Sequence, residues 1–227
     1  MIHGDALEVL PHIPAGVVDA VVTDPPYGIG FAGKATKHTR QDGIGYESHE
    51  DTEENIVNGV VPIVKVCIER FPRVLVTPGC KCLFMYPRAS AIGTVYCPSG
   101  AGRSPWGFQC CYPILYYGKD PWNQTRPNSF SSTEPSEENG HPCPKPIGWM
   151  RWMVRRATLK GQTILDPFAG SGTTGVAAIL EGRRCILIEK EAKYVEIIRR
   201  RIDEALCVNR ENLFREVAAS NLFEVAA

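Results

Sequence analysis

The chain has no surplus of charge: 25 Lys and Arg stand against 25 Asp and Glu over 227 residues. That balance excludes a protein that coats nucleic acid or membrane through bulk positive charge, so a polyanion must be met by local clusters. Long apolar runs are also missing. No window approaches the roughly 20 apolar residues that a bilayer-spanning helix needs, and Met1 leads straight into Ile2-His3-Gly4-Asp5 without a secretory leader. Nine cysteines are present but scattered. Cys80-x-Cys82 and Cys110-Cys111 have no second Cys or His pair at zinc-site spacing, so no metal is expected. Reduced structural thiols and a cytoplasmic location follow from the same pattern. Apolar residues make up 44% of the sequence, enough for the core of one compact domain.

Two segments carry chemistry. In the first, the run Val17-Val18-Asp19-Ala20-Val21-Val22-Thr23 reads as a buried parallel strand, and Asp24-Pro25-Pro26-Tyr27 follows at its carboxyl end. Ligands of open α/β sheets bind at that end. The two prolines remove backbone donors and stiffen the turn, leaving carbonyl oxygens outward as acceptors. The Asp24 carboxylate adds acceptor capacity and Tyr27 a flat ring. Together they suit a planar heterocycle bearing an exocyclic amino group. Read without that chemistry, the same residues are a proline-stiffened turn.

In the second, Thr163-Ile164-Leu165 is a short strand, and Asp166-Pro167-Phe168-Ala169-Gly170-Ser171-Gly172-Thr173-Thr174 leads from it into a helix over about 175–180. Glycines without a Cβ let backbone approach a ligand closely. No Lys follows the second glycine, so the loop is not built for phosphates, and it lacks the three-glycine dinucleotide pattern. A second strand, Arg184 to Ile188, ends at Glu189. That offset, about twenty residues past the glycines, is where an acid accepts hydrogen bonds from ribose hydroxyls. Adenosine without pyrophosphate is the implied ligand, which S-adenosylmethionine satisfies.

These motifs resemble those of the DNA amino-methyltransferases, enzymes that methylate N6 of adenine or N4 of cytosine. Asp24-Pro25-Pro26-Tyr27 is similar to the family's catalytic motif, Asp166 to Thr174 to its cofactor loop, and Glu189 to its ribose-binding acid. His141-Pro142-Cys143-Pro144-Lys145-Pro146 resembles the segment preceding that loop, and Gly4-Asp5-Ala6-Leu7 a short N-terminal motif. Many relatives carry Thr and Gln where this chain has Cys143 and Pro144. The catalytic motif precedes the cofactor loop, which is the permuted order of the beta class. The resemblance implies a Rossmann-like S-adenosylmethionine-dependent sheet in circularly permuted order. Its cofactor residues are Asp5 on adenine, Lys145 on the methionine carboxylate, Asp166, Phe168, Ala169, Gly170, Ser171, Gly172, Thr173, Thr174 and Glu189. The catalytic residues are Asp24, Pro25, Pro26 and Tyr27. An Asp heading the motif resembles adenine-specific members; N4-cytosine enzymes more often begin with Ser. Cytosine C5 chemistry is disfavoured because no cysteine nucleophile stands in the motif. RNA methylation, usually with the cofactor loop first, and a catalytically silent DNA-binding module are the remaining alternatives.

Double-stranded DNA is the expected partner, in a restriction-modification or similar setting. Trp106 to Lys119 resembles phage and prophage members. Lys34, Lys37 and Arg40 follow the catalytic motif in a glycine-rich loop. Arg151 and Arg155 belong to an acid-free stretch within a helix over 146–158, which reads equally well as an ordinary solvated face. Target recognition is placed in 119–140, where Trp122, Asn123, Gln124 and Arg126 include side chains suited to base edges. Residues 1–206 form one methyltransferase domain with a small insertion around 88–140; 207–227 form a tail. Helices are expected at 5–11, 53–70 and 191–206, and strands at Val74-Leu75, Leu83–Tyr86 and Ile114–Tyr117. A homodimer is compatible with this reading. Asn212-Leu213-Phe214 and Asn221-Leu222-Phe223 repeat in the tail and resemble replication-clamp peptides without the usual leading Gln. A frayed or folded-back helix is the plainer account of that tail.

Overall fold

The computed structural model of the chain describes residues 1–14, 16–29, 51–99, 103–122, 125–136 and 145–224. Its centre is an eight-stranded sheet in the order β1-β10-β9-β2-β3-β7-β4-β8. The strands are β1 (Ile2–His3), β2 (Ala20–Thr23), β3 (Arg73–Val76), β4 (Ala91–Tyr96), β7 (Cys111–Gly118), β8 (Phe130–Ser131), β9 (Thr163–Asp166) and β10 (Arg184–Glu189). A separate two-stranded hairpin joins β5 (Arg103–Ser104) to β6 (Gly107–Phe108). The pairs β1–β10, β10–β9, β9–β2 and β2–β3 are parallel, whereas β7 runs antiparallel to both β3 and β4.

Helices cover both faces, as a parallel sheet requires. One face carries α1 (Ala6–Val9), then α2 (Glu53–Asn55), a π-turn over Ile56–Val60 and α3 (Val61–Arg70). The π-turn sits just ahead of Pro62, which has no N–H to close an α-type bond to Asn58. The other face carries α5 (Ile147–Ala157) and α6 (Thr173–Leu180). Alternation along β2 decides which side chain meets which layer. Val21 packs with Leu10, Ile56 and Val64, while Ala20 and Val22 pack with Met150, Met153 and Ala177. Helix α4 (Gly79–Cys82) follows β3, and α7 (Ala192–Glu224) follows β10.

Three sequence expectations change. Leu83–Met85 forms a 3-10 turn instead of a strand, because α4 turns the chain away at Gly79 and β7 takes the place beside β3. The insertion around 88–140 supplies β4, β7 and β8, so much of it extends the sheet. Its Gly and Pro residues hid this: Pro113 pairs only with β4, beyond the last β3 partner at Leu115, and Gly93 leaves room for the Asn128 carbonyl, which a Cβ would meet at 1.9 Å. The last helix does not end near 206 but continues to Glu224.

Candidate active site

Strands β2 and β9 lie side by side, so the segments that leave their carboxyl ends are neighbours despite their distance in sequence. The link is direct. Thr23 Oγ1 donates to Asp166 Oδ1 at 2.6 Å, and the Phe168 amide donates to the same oxygen at 3.0 Å. Burial pushes the Asp166 carboxyl up to about 6, against the pull of hydrogen bonds from Thr174, Thr23 and Phe168. One cleft is lined by Asp24, Pro25, Pro26 and Tyr27 on one side and by Asp166, Phe168, Ala169, Gly170, Ser171, Thr173, Thr174 and Glu189 on the other, with Asp5 and Lys145 at its margins.

The glycine loop folds on itself. Gly172 donates to the Ala169 carbonyl at 2.7 Å and caps α6 with a left-handed φ of 81°. The Gly170 amide donates to Glu189 Oε2 at 2.7 Å and the Glu191 amide to Glu189 Oε1 at 2.8 Å. Each carboxylate oxygen therefore keeps acceptor capacity for a ligand hydroxyl. Burial raises Glu189 to about 7, with the two amides opposing the shift and Glu191 and Asp166 adding to it. Sequence reading missed Arg201, a buried side chain of α7 whose Nη1 donates to the Ser171 carbonyl at 2.7 Å and to Thr173 Oγ1 at 3.0 Å. An Arg in a helical periodic pattern gives no signal of this role. Asp5 caps α1 through the Leu7 amide and pairs with Lys190 Nζ at 3.0 Å. It stands beside Glu189 because β1 pairs in register with β10, His3 opposite Glu189.

The segment from Asp24 to Tyr27 is held differently. Tyr27 Oη donates to Asp24 Oδ1 at 2.5 Å, Thr77 Oγ1 donates to the same oxygen, and Lys145 Nζ sits 2.9 Å from Asp24 Oδ2. Lys145 also lies over the Tyr27 ring, 4.4 Å from its centroid. The structure thus groups Lys145 with Asp24 and Tyr27. Burial, then the Asp24 charge, drives the Tyr27 hydroxyl well above its ordinary range. Past the ring, Asp51 accepts from the Gly28 amide at 2.6 Å and the Ile29 amide at 3.2 Å, and Lys81 Nζ donates to the Gly28 carbonyl at 2.9 Å. Gly79 packs on the ring so closely that a Cβ there would lie 2.8 Å from Tyr27 Cγ. Thr77 and Asp51 were not foreseen. Thr77 follows β3 and its amide donates to the Thr23 carbonyl at 3.2 Å, a register that only strand pairing sets.

Four of the residues expected to meet DNA, Arg151, Arg155, Trp122 and Arg126, do not line this cleft. Arg151 and Arg155 both pair with Glu181, at 2.7 and 3.0 Å, at the end of α6. Arg126 stacks on Trp122 at 3.8 Å, and Trp122 Nε1 donates to the Arg155 carbonyl at 3.0 Å. These residues follow Gly118, which pairs with Arg73 at the amino end of β3, so Trp122, Arg126 and Arg155 gather at the edge away from the cleft. Lys34, Lys37, Arg40, Asn123, Gln124 and the segment His141-Pro142-Cys143-Pro144 lie outside the described residues.

An open, mainly parallel α/β sheet with a nucleoside-type cleft at its carboxyl edge is the class that fold and site define. Residues 85–200, half of the chain, match the family model for N6/N4 DNA methylases, and the chain belongs to that family. Over a 266-residue alignment it is 27% identical to the DNA adenine methyltransferase YhdJ of Escherichia coli, covering 94% of this chain and 85% of that one. A local match of 40% identity over 86 residues to the type II methyltransferase M2.MboI of Moraxella bovis covers 38% of this chain and 30% of that relative. Among solved structures, the M1.HpyAVI–SAM complex superposes with a TM-score of 0.63 at 19% identity, covering 88% of this chain and 97% of that one. The cytosine-N4-specific PvuII DNA methyltransferase gives 0.63 at 18%, covering 92% and 90%. Both show the fold. The cleft fits S-adenosylmethionine, the methyl donor that the family uses. A buried carboxylate with spare acceptor capacity, a glycine loop without a phosphate-binding Lys, and a neighbouring Asp suit an adenosine without pyrophosphate.

Proposed function

We propose that the chain methylates the exocyclic N6 of adenine in double-stranded DNA. The observation that carries the reading is Asp24, a carboxylate at the cleft mouth flanked by the Tyr27 ring and facing the glycine loop. A base inside the duplex cannot reach that point, so the nucleotide must be extruded at a cost of a few kcal/mol. Tyr27 stacks on the base and offsets part of this. S-adenosylmethionine, when bound, supplies an electrophilic methyl on a sulfonium. Glu189 accepts from the ribose hydroxyls. Asp24 and the Pro25 carbonyl accept from the amino hydrogens, drawing them out of the ring plane and localising the nitrogen lone pair for in-line attack. Positioning and electrostatics suffice, without a covalent intermediate. Lys145, now on Asp24 and over the ring, must yield both places to the base; its ammonium then becomes available to an anionic group such as the methionine carboxylate. Asp at the head of the motif and the likeness to YhdJ along most of the chain support adenine. Incubating the protein with unmethylated DNA and labelled methyl donor, followed by nucleoside mass spectrometry, tests it. N6-methyladenine is expected, and N4-methylcytosine in its place would transfer the reading to cytosine.

A further inference from the structure

Among the described residues, the aromatic side chains standing furthest into solvent are Trp106 at 98% exposed, Phe84 at 93% and Phe108 at 75%. All three belong to one edge of the molecule. Strand β7 runs antiparallel to β3 with Leu115 opposite Val76, so the chain before Leu115 passes beyond the carboxyl end of β3. The ladder continues outward, Cys97 donating to the Cys110 carbonyl at 2.7 Å, and ends in the β5–β6 hairpin. Phe84 follows α4, which touches the base of this arm where Cys80 Sγ meets the Cys111 carbonyl at 3.2 Å. The arm therefore rises from the edge that bears Asp24 and Tyr27. At about 3.3 Å per residue, the path from Leu115 to Phe108 can carry the aromatics at most roughly 20 Å past the end of β3.

Resting on the DNA reading above, we propose that this arm enters the duplex beside the extruded nucleotide, with Trp106 stacking on the neighbouring bases. Three features favour nucleic acid as the occupant. A two-stranded ribbon is narrow enough for the major groove. Large aromatic faces without packing partners suit base stacking, which every base supports. The chain from Arg70 through Lys119 contains no Asp or Glu although the whole protein has no net charge, and Arg103 stands in the hairpin itself, paired with Phe108. An acid-free stretch around exposed aromatics matches a polyanion bearing stacked rings.

Trp106→Ala, Trp106→Phe and Phe108→Ala, made in the full chain, test this. The probes are unmethylated phage λ DNA for methyl transfer and a mixed-sequence 24-base-pair duplex for binding. Trp106→Ala should lower kcat/KM for DNA by roughly tenfold, while melting temperature and cofactor affinity stay at wild-type values. Trp106→Phe should recover most of the loss and Phe108→Ala should show a smaller one. Duplex should also shield Trp106 from iodide quenching, seen as the difference between wild type and Trp106→Phe. Wild-type kcat/KM in Trp106→Ala overturns the proposal. So does sedimentation showing that the substitution converts a dimer to a monomer, since the arm then serves a second copy. If the wild type transfers no methyl to DNA, the functional reading fails instead, and iodide shielding alone decides whether the arm meets the duplex.

Discussion

The two segments that meet in the cleft are built on opposite plans. The cofactor loop is held largely by its own neighbourhood: Ala169 and Gly172 bond within the turn and to β10, and Asp166 and Glu189 cap its amides from the strands on either side. The catalytic segment has two prolines, few donors of its own, and depends on side chains brought from far along the chain. Thr77 and Lys145 hold Asp24, Asp51 and Lys81 hold Gly28, and Gly79 floors the ring. The cofactor loop also draws on Arg201 of α7 and on Thr23, but its remaining bonds come from β9, β10 and the turn itself. A segment fixed at long range is sensitive to substitutions that never touch substrate.

The sharpest separation of the two is Asp24→Ala. Methyl transfer should fall by about a thousandfold or more, as when a preorganised charge partner is lost. Cofactor affinity measured by calorimetry should stay near wild type, and loss of both together would merge the two halves of the cleft. Glu189→Ala should act on the other half, weakening cofactor binding by about 1.5–3 kcal/mol; an unchanged dissociation constant would remove the acid from the ribose site.

Two glycines make a matched pair. Gly79 and Gly172 both have positive φ, 67° and 81°, so alanine is strained at either. At Gly172 the new Cβ meets the Ile198 side chain at 3.2 Å, which has some room to give. At Gly79 it would lie 2.8 Å from Tyr27 Cγ and displace the ring. Both should cost stability by about 1–3 kcal/mol, but only Gly79→Ala should depress kcat while sparing cofactor affinity. Equal kcat losses in the two variants would erase the distinction. Asp51→Asn should act more mildly: it keeps the shape but weakens the charge-assisted bonds to Gly28 and Ile29, and roughly tenfold in kcat is expected.

The smallest effect is in pH. Asp166 and Glu189 stand at about 6 and about 7, above their ordinary values of 3.8 and 4.5. Groups raised in the folded state favour folding when protonated. Their contribution is complete below about pH 4 and declines as the pH rises through 6 and 7. Cofactor affinity should move the opposite way, increasing across pH 7 as Glu189 becomes a better acceptor. Glu189→Gln should flatten that rise in a calorimetric pH series; a rise that persists in the variant would assign it to another group.

Both chemical motifs were legible because each is contiguous and sits at the end of an apolar run: a strand, then Asp24-Pro25-Pro26-Tyr27, and a strand, then Asp166 to Thr174. Glu189 was legible because parallel strands place such an acid at a regular offset. The pairing of Arg151 and Arg155 was not legible, for a physical reason. Composition shows that a stretch lacks acids but not that a remote acid, Glu181, lies across from it. Trp122 read as a candidate for base contacts, whereas its ring receives Arg126 and its N–H meets the end of α5.

The sequence by itself determined the sheet class, the two loops and most of the residues that line the cleft, since hydrophobic period and turn composition are local properties. Which edge each charged or aromatic group occupies was decided only in three dimensions. Strand order brings Thr23 against Asp166 and places Thr77 level with Asp24, the path into α5 lays Lys145 on the Asp24 carboxylate, and the antiparallel turn of β7 carries Trp106 to the cleft side and Trp122 to the other. Strand direction and pairing depend on contacts between residues far apart in the chain, and no local pattern encodes them.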